Sequence, residues 1–208
     1  MRNDSQIASA GGFNAIGYSQ GNLIIRGYIE KYNDPPVNHH LSMFGMGMGV
    51  AGFPDCKMEF NVCRELASLL GQIAYAPAIQ AHLMQANYYR DPTHIEEFRS
   101  GDVGLAQLNN EATDSPSSTL SLAGMTGNLT LVKGLKDIEV QPNDSEWYGY
   151  FVDGSQTETS TLQDSEWYTW FGLDSMDSKA QLGFETVDGG HMQFSNSDLT
   201  GFVEKYWM

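Results

Sequence analysis

The sequence predicts an α/β fold built on a mostly parallel sheet. A short apolar strand, Phe13–Gly17, runs into a segment where Leu23, Ile24, Tyr28 and Ile29 recur at helical spacing. A second strand, Leu41–Phe44, follows. Strand, helix and strand within about 35 residues make a βαβ unit, whose crossover returns the chain to the same end of the sheet, so the strands run parallel. Two further apolar strands lie far along the chain, at 129–132 and 182–186, with helix-patterned sequence before the first of them. A chain of 208 residues can bury a sizeable core as one domain. We therefore expect a single domain over 1–208, with a helical insertion at about 53–125.

Each element has a local reason. The first helix stops before Asn33-Asp34-Pro35-Pro36, because proline removes a backbone donor and clashes with the preceding turn. Gly45-Met46-Gly47-Met48-Gly49 follows the second strand as a loop; without the Lys and Ser/Thr of a phosphate-binding loop, it reads as packing beside the motif described below. From Pro54 to about Asn110 the pattern is helical, with Val62, Leu66, Leu69 and Leu70 on one stripe and Ile79, His82, Leu83 and Ala86 on another. Asp91-Pro92 ends that second helix, and the Ser/Thr/Asn-rich stretch at 109–119 reads as loop. The strand Leu129–Val132 leads into a loop carrying Asp137. Asp144-Ser145-Glu146-Trp147-Tyr148 then recurs as Asp164-Ser165-Glu166-Trp167-Tyr168. Two copies fall short of the three or so units of a repeat array, so two similar β-arms or coincidence are the readings. A strand at 182–186, a loop with His191 and a helix over 198–206 complete the chain.

Composition excludes several classes. Hydrophobic residues are 41% and charged residues 18%, unlike a disordered acidic tail or a coiled coil. The net charge of −15 and the lack of any Lys/Arg cluster exclude nucleic acid, whose phosphates need a basic footprint, and argue against an anionic membrane surface. The acid-rich stretch from Asp137 to Asp188, with Lys179 as its single base, reads as a solvated face. No run of about 18 apolar residues encodes a transmembrane segment. The first residues, Met-Arg-Asn-Asp-Ser-Gln, have no signal-peptide character, so the chain as written stays where it is made unless its start lies upstream. Cys56 and Cys63 lack a zinc-like pattern; by spacing alone they are equally a bridge or two reduced thiols. Acceptor triplets for N-glycosylation begin at Asn3, Asn128 and Asn143.

The segment that carries chemistry is Gly17-Tyr18-Ser19-Gln20-Gly21, a G-x-S-x-G pattern between strand and helix. A serine on such a turn sits in a strained conformation with backbone close by, which we expect to require glycine on both flanks. The turn exposes the hydroxyl and aims the N–H of Gln20 at a developing oxyanion. The serine needs a base, and the base an orienting carboxylate. In α/β-hydrolases the chain order is serine, acid, histidine. His39 and His40, at a strand start, are expected exposed; His82 is expected packed on its apolar stripe, and His94 begins a helix. His191 alone follows the last strand. Asp137, Glu139 and Asp144 all qualify as the acid, with Asp137 favoured by its nearness to the strand at 129–132.

From Phe13 to the C-terminus the chain resembles the palmitoyl-protein thioesterases, lysosomal serine hydrolases of the α/β-hydrolase fold. The resemblance rests on Phe13–Ile24, Pro35–Asn38, Gly49-Val50-Ala51-Gly52-Phe53-Pro54-Asp55-Cys56, Leu83–Pro92 and, most specifically, Asp144-Ser145-Glu146-Trp147-Tyr148-Gly149. It implies Ser19 as nucleophile, Gln20 as oxyanion donor, Asp137 as acid, His191 as base, and a Cys56–Cys63 disulfide. It further implies that the helical insertion is a cap holding a fatty-acyl chain. The reaction it implies is hydrolysis of acyl thioesters on S-acylated (palmitoylated) proteins, by a monomer in the lysosome or secreted, without metal or cofactor. The loop at Met43–Met48 lacks the polar residues usual in the family. Sixteen residues precede Gly17, where the family carries a leader, its first strands and a loop supplying the other oxyanion donor. The expected fold is thus an α/β-hydrolase with its N-terminal strands missing and an open edge beside Phe13–Gly17. An inactive N-terminally truncated product, and a serine esterase or lipase acting on oxygen esters, are the competing readings. The implied bridge would close a short loop and stabilise by about 2–3 kcal/mol. Mass mapping of secreted protein under non-reducing conditions should find Cys56 and Cys63 joined; two free thiols would remove the bridge.

Overall fold

A computed structural model describes residues 4–52, 71, 73–113 and 121–208. Cys56 and Cys63, and the stripe from Val62 to Leu70, lie outside the described residues. A short helix α1 (Ser5–Ser9) precedes β1 (Phe13–Tyr18), α2 (Gly21–Lys31) and β2 (Val37–Met43). Between β2 and β3 (Leu129–Gly134) lie α3 (Pro77–His82), α4 (Ile95–Gly101) and α5 (Leu105–Leu108). Then come the two-residue strands β4 (Tyr150–Phe151) and β5 (Thr159–Ser160), α6 (Trp167–Trp170), α7 (Leu173–Ser178), β6 (Leu182–Val187) and α8 (Asn196–Trp207). The main sheet runs β1-β2-β3-β6, and all of its pairings are parallel. This is the α/β architecture the sequence predicts. β1 forms one edge, and no strand among the described residues pairs with its far side.

The central strands are covered on both faces, and this explains a correction. β2 begins at Val37 rather than Leu41, and His40 is 2% exposed. His40 was expected in water, but in a strand buried on both sides even the polar positions leave solvent. The helix α2 is also misjudged by its apolar pattern. Its buried residues are Asn22, Arg26 and Ile29, whereas Ile24 is 63% exposed. Polar side chains occupy the inward face because they serve backbone groups there.

Arg26 is the clearest case. Its guanidinium donates to Glu30 Oε1 at 2.8 Å, Gly47 O at 2.8 Å, Asn109 Oδ1 at 2.9 Å and Leu108 O at 2.8 Å. Its flat face lies 4.2 Å from the Phe171 ring centroid. One buried side chain thus joins the crossover helix, the glycine-rich loop and the inserted helices.

In the insertion, α3 ends at His82, well before Asp91-Pro92, and a 3₁₀ turn follows over Met84–Tyr88. The inward residues are Gln80 and Ala86, and His82 is exposed, not packed. Gln80 caps loose carbonyls there, donating to Ala74 O and Ala86 O. The two copies of the tryptophan motif are not two β-arms. The first is a 3₁₀ turn over Asn143–Trp147; the second runs into α6. Glu146 is 1% exposed while Glu166 is exposed, so the acid-rich stretch is not uniformly a solvated face. Of the glycosylation triplets, Asn128 donates to Tyr206 O and Asn143 to Gly134 O, so both amides are engaged; Asn3 lies outside the described residues. The C-terminal helix α8 starts two residues earlier than expected, because Ser195 and Asp198 form a reciprocal capping box. Its Leu199, Phe202 and Val203 pack on Leu41, Met43 and Val132 of the sheet.

Replacing Arg26 by Ala would leave the Glu30 carboxylate buried and uncompensated. Denaturant midpoints should show a loss of about 3–5 kcal/mol; a loss below 1 kcal/mol would mean that Arg26 is not the tie described.

Candidate active site

The turn after β1 places Ser19 at φ +47°, the left-handed region that a side chain enters at a cost of roughly 1–3 kcal/mol. The Ser19 N–H donates to Met43 O at 3.0 Å, so the turn is pinned to the end of β2. Asn22 completes the pin, its amide donating to Ser19 O at 3.0 Å and to Met43 O at 3.1 Å. Its remaining oxygen lies 3.1 Å from His40 Nε2. Since that oxygen only accepts, Nε2 carries the hydrogen of the buried imidazole. Burial pushes His40 down to about 3, so it stays neutral in this role.

The glycine requirement is one-sided. A Cβ on Gly17 would stand 2.2 Å from Asn22 Oδ1, a clash. A Cβ on Gly21 would meet nothing within 4 Å, contrary to the expectation that both flanks demand glycine. The neighbour that creates the demand is Asn22, and it crowds Gly17 alone. Among the described residues the Gln20 N–H meets no acceptor, as an oxyanion donor requires.

His191 is carried by the loop after β6. Its Nε2 lies 2.9 Å from Ser19 Oγ and its Nδ1 lies 2.6 Å from Asp137 Oδ2. The Phe44 ring meets the imidazole edge-on at 5.9 Å. Asp137 Oδ1 accepts the N–H groups of Glu139 at 2.8 Å and Val140 at 3.1 Å. Burial alone would raise Asp137, but hydrogen bonds from His191, Glu146 and the Val140 N–H outweigh it and hold the carboxyl at about 2. Of the other acids considered, Asp144 pairs with Lys133, and Glu139 meets the cluster through its backbone. Elsewhere, His39 accepts from the Asn128 N–H and His94 pairs with Asp91.

Ser19 and His191 open onto a cavity of about 440 Å³, a size suited to a small ligand. Its walls are apolar: Met46, Val50, Ile79, Ala86, Tyr89 and Val140. Glu139 also lines it, so the two residues whose N–H groups hold Asp137 also face the cavity. Among the described residues one group has the composition of a metal site: Asp137, Glu146 and His191. Of these, His191 and Asp137 are engaged in a hydrogen-bonded chain with Ser19 and backbone N–H groups, and Glu146 Oε2 accepts the Gly134 N–H.

The arrangement unites a serine, a histidine and a carboxylate with an apolar cavity, and the comparisons give it a family. The sequence matches the family described as palmitoyl protein thioesterase over residues 1–191. The chain belongs to the palmitoyl-protein thioesterase family. It is 32% identical to palmitoyl-protein thioesterase 1 of Caenorhabditis elegans, aligned over all of this chain and 70% of the relative. It is 32% identical to palmitoyl-protein thioesterase 3 of Dictyostelium discoideum, over 88% of this chain and 62% of the relative. With the human lysosomal thioesterase PPT2 it shares 29% identity over 70% of this chain and 48% of the relative. The parallel sheet with its helices is consistent with the α/β-hydrolase fold of this thioester-hydrolase family.

Three residues of the site escaped the sequence reading. Asn22 sat in a matched stretch but had no assigned task. His40 was put in water, and Glu146 stood inside a diagnostic motif whose physical role the motif does not reveal. The glycine finding separates two substitutions. Gly17→Ala should abolish turnover or folding, whereas Gly21→Ala should keep turnover within about threefold and add up to about 1 kcal/mol of helix stability. Equal loss in both, by assay and thermal melt, would refute the one-sided requirement.

Proposed function

We propose that this chain hydrolyses long-chain acyl thioesters, such as palmitoyl groups on protein cysteines, through an acyl-serine intermediate. The observation that supports this best is the linked chain Ser19–His191–Asp137 opening onto an apolar cavity. The acyl chain would lie in the cavity under the helical insertion at about 53–125, acting as cap within a single domain. Names of the relatives, palmitoyl-protein thioesterase and lysosomal thioesterase, point to the same substrate class and to a lysosomal location. No helix among the described residues is long and apolar enough to cross a membrane.

The geometry supports the following steps. Asp137 accepts the Nδ1–H of His191, which leaves Nε2 free to take the Ser19 proton. Ser19 Oγ attacks the thioester carbonyl, and the Gln20 N–H donates to the oxyanion. The C–S bond breaks, and the thiol leaves with the proton from His191 Nε2. A water, deprotonated by His191, attacks the acyl-serine and releases the fatty acid and Ser19. With its carboxyl held at about 2, Asp137 remains ionised well into the acid range. The same steps would cleave an oxygen ester. The specific tryptophan motif favours the thioester.

Ser19→Ala, His191→Ala and Asp137→Ala should each lower turnover of a palmitoyl thioester by about 10⁴-fold or more, and combining them should add little. An oxygen ester of the same acyl chain should be cleaved more slowly by the unaltered protein. Near-normal turnover in Ser19→Ala would overturn the mechanism, preference for the ester would overturn the substrate class, and no turnover of either would support the inactive product.

A further inference from the structure

Behind the Asp137 carboxylate lies a second carboxyl group, Glu146, for which the steps above have no task. It is 1% exposed and sits in the 3₁₀ turn after β3. Its Oε2 accepts the Gly134 N–H at 2.6 Å, while Oε1 is buried and accepts from no donor among the described residues. One ligand atom from each of Asp137, Glu146 and His191 lies within 4.8 Å of the others.

We propose that Glu146 is a positioning residue for the proposed reaction, a neutral carboxylic acid whose O–H donates to the Asp137 carboxylate and holds it toward His191. Two buried carboxyls this close cannot both be ionised. The proton goes to the group with fewer donors. Asp137 receives three N–H bonds, from Glu139, Val140 and His191, whereas Glu146 receives one. An ionised carboxylate has about four acceptor positions, so Asp137 has room for the Glu146 hydrogen. The charged groups around Glu146 do not offset this. Lys133, from β3, is engaged with Asp144 and the Trp147 face; Asp137 lies on the following loop, and His191 reaches in from the loop after β6. Burial first, then the hydrogen bond and charge of Asp137, push Glu146 up to about 10. Glu166, the equivalent residue in the second motif copy, is exposed and provides an internal control.

This inference rests on the proposed serine mechanism, so its test has one arm independent of turnover. Glu146→Gln keeps a neutral donor toward Asp137 and an acceptor for the Gly134 N–H. It should keep kcat within about threefold and leave the acid limb of the kcat/KM–pH profile in place. Glu146→Leu should lower kcat by about 10- to 100-fold with little change in KM. Glu166→Gln should match the unaltered protein. The independent arm is thermal stability between pH 5 and pH 9. A carboxyl raised in the folded state stabilises below its unfolded value, and that contribution is lost as pH rises toward the folded one. Glu146→Gln, which has no proton to retain, should therefore gain in Tm relative to the unaltered protein as pH rises. A Tm difference constant across that range would overturn the neutral acid. So would an acid limb moved down by about one unit in Glu146→Gln, which would show that a negative charge had been removed. Unchanged kcat in Glu146→Leu would overturn the positioning role. If the protein shows no turnover but the Tm difference grows with pH, the proposed function fails while the neutral acid stands.

Discussion

The site depends on the close approach of one amide side chain to two strand ends. Asn22 lies against Gly17 of β1 and Gly45 after β2, where a Cβ would stand 2.2 Å and 3.0 Å from its side-chain atoms. From there it ties Ser19 O to Met43 O. A serine in the left-handed region relaxes unless its surroundings leave no alternative. Here the restraint is a hydrogen-bonded side chain whose last acceptor is filled by a buried neutral histidine. The strain at the serine is therefore supported by polar groups inside the fold and not by the glycines as such.

A second organiser is the turn Asp144-Ser145-Glu146-Trp147. Three of its side chains reach β3, and Ser145 and Trp147 extend the contacts to the glycine-rich loop and to β6. Asp144 pairs with Lys133, and Ser145 Oγ donates to Gly49 O and accepts the Met48 N–H. Glu146 takes the Gly134 N–H, and Trp147 Nε1 donates to Leu131 O and Glu185 O. Four consecutive residues thus join β3, β6, the glycine-rich loop and the acid side of the site. Helix α2 answers from the opposite side through Arg26, which holds Gly47 O. The glycine-rich loop is fixed by hydrogen bonds at both flanks, so its Met46 can line the cavity while Met48 packs in the core.

Periodicity was a sound guide where burial follows one face. It located β1, β3 and β6 and the C-terminal helix; motif order singled out Ser19 and His191 and left three acids, of which the one favoured by nearness and implied by the family resemblance, Asp137, lies within hydrogen-bonding distance of His191. It failed where polar side chains do the inward work. Arg26 and Asn22 replace the apolar stripe expected on α2, Gln80 replaces His82 in the insertion, and His40 lies inside a strand covered on both sides. The cause is the same in each case. Loops and short helices leave unpaired carbonyls and N–H groups, and a buried side chain must meet them. Such a demand arises from tertiary contacts and leaves no periodic trace. The two copies of the tryptophan motif make the point most directly, since nearly the same five residues bury Glu146 and expose Glu166.

Glu139 and Val140 line the cavity and hold Asp137 with their backbone N–H groups. Under the proposed chemistry, selectivity for the acyl tail and the strength of the catalytic base share one short piece of main chain. Reshaping the cavity wall at these positions shifts the carboxylate as well, so specificity and rate cannot evolve independently there. Two other lining residues, Ile79 and Ala86, make no hydrogen bond to the acid among the described residues. These are positions at which a lineage could alter tail preference while leaving the proton relay intact.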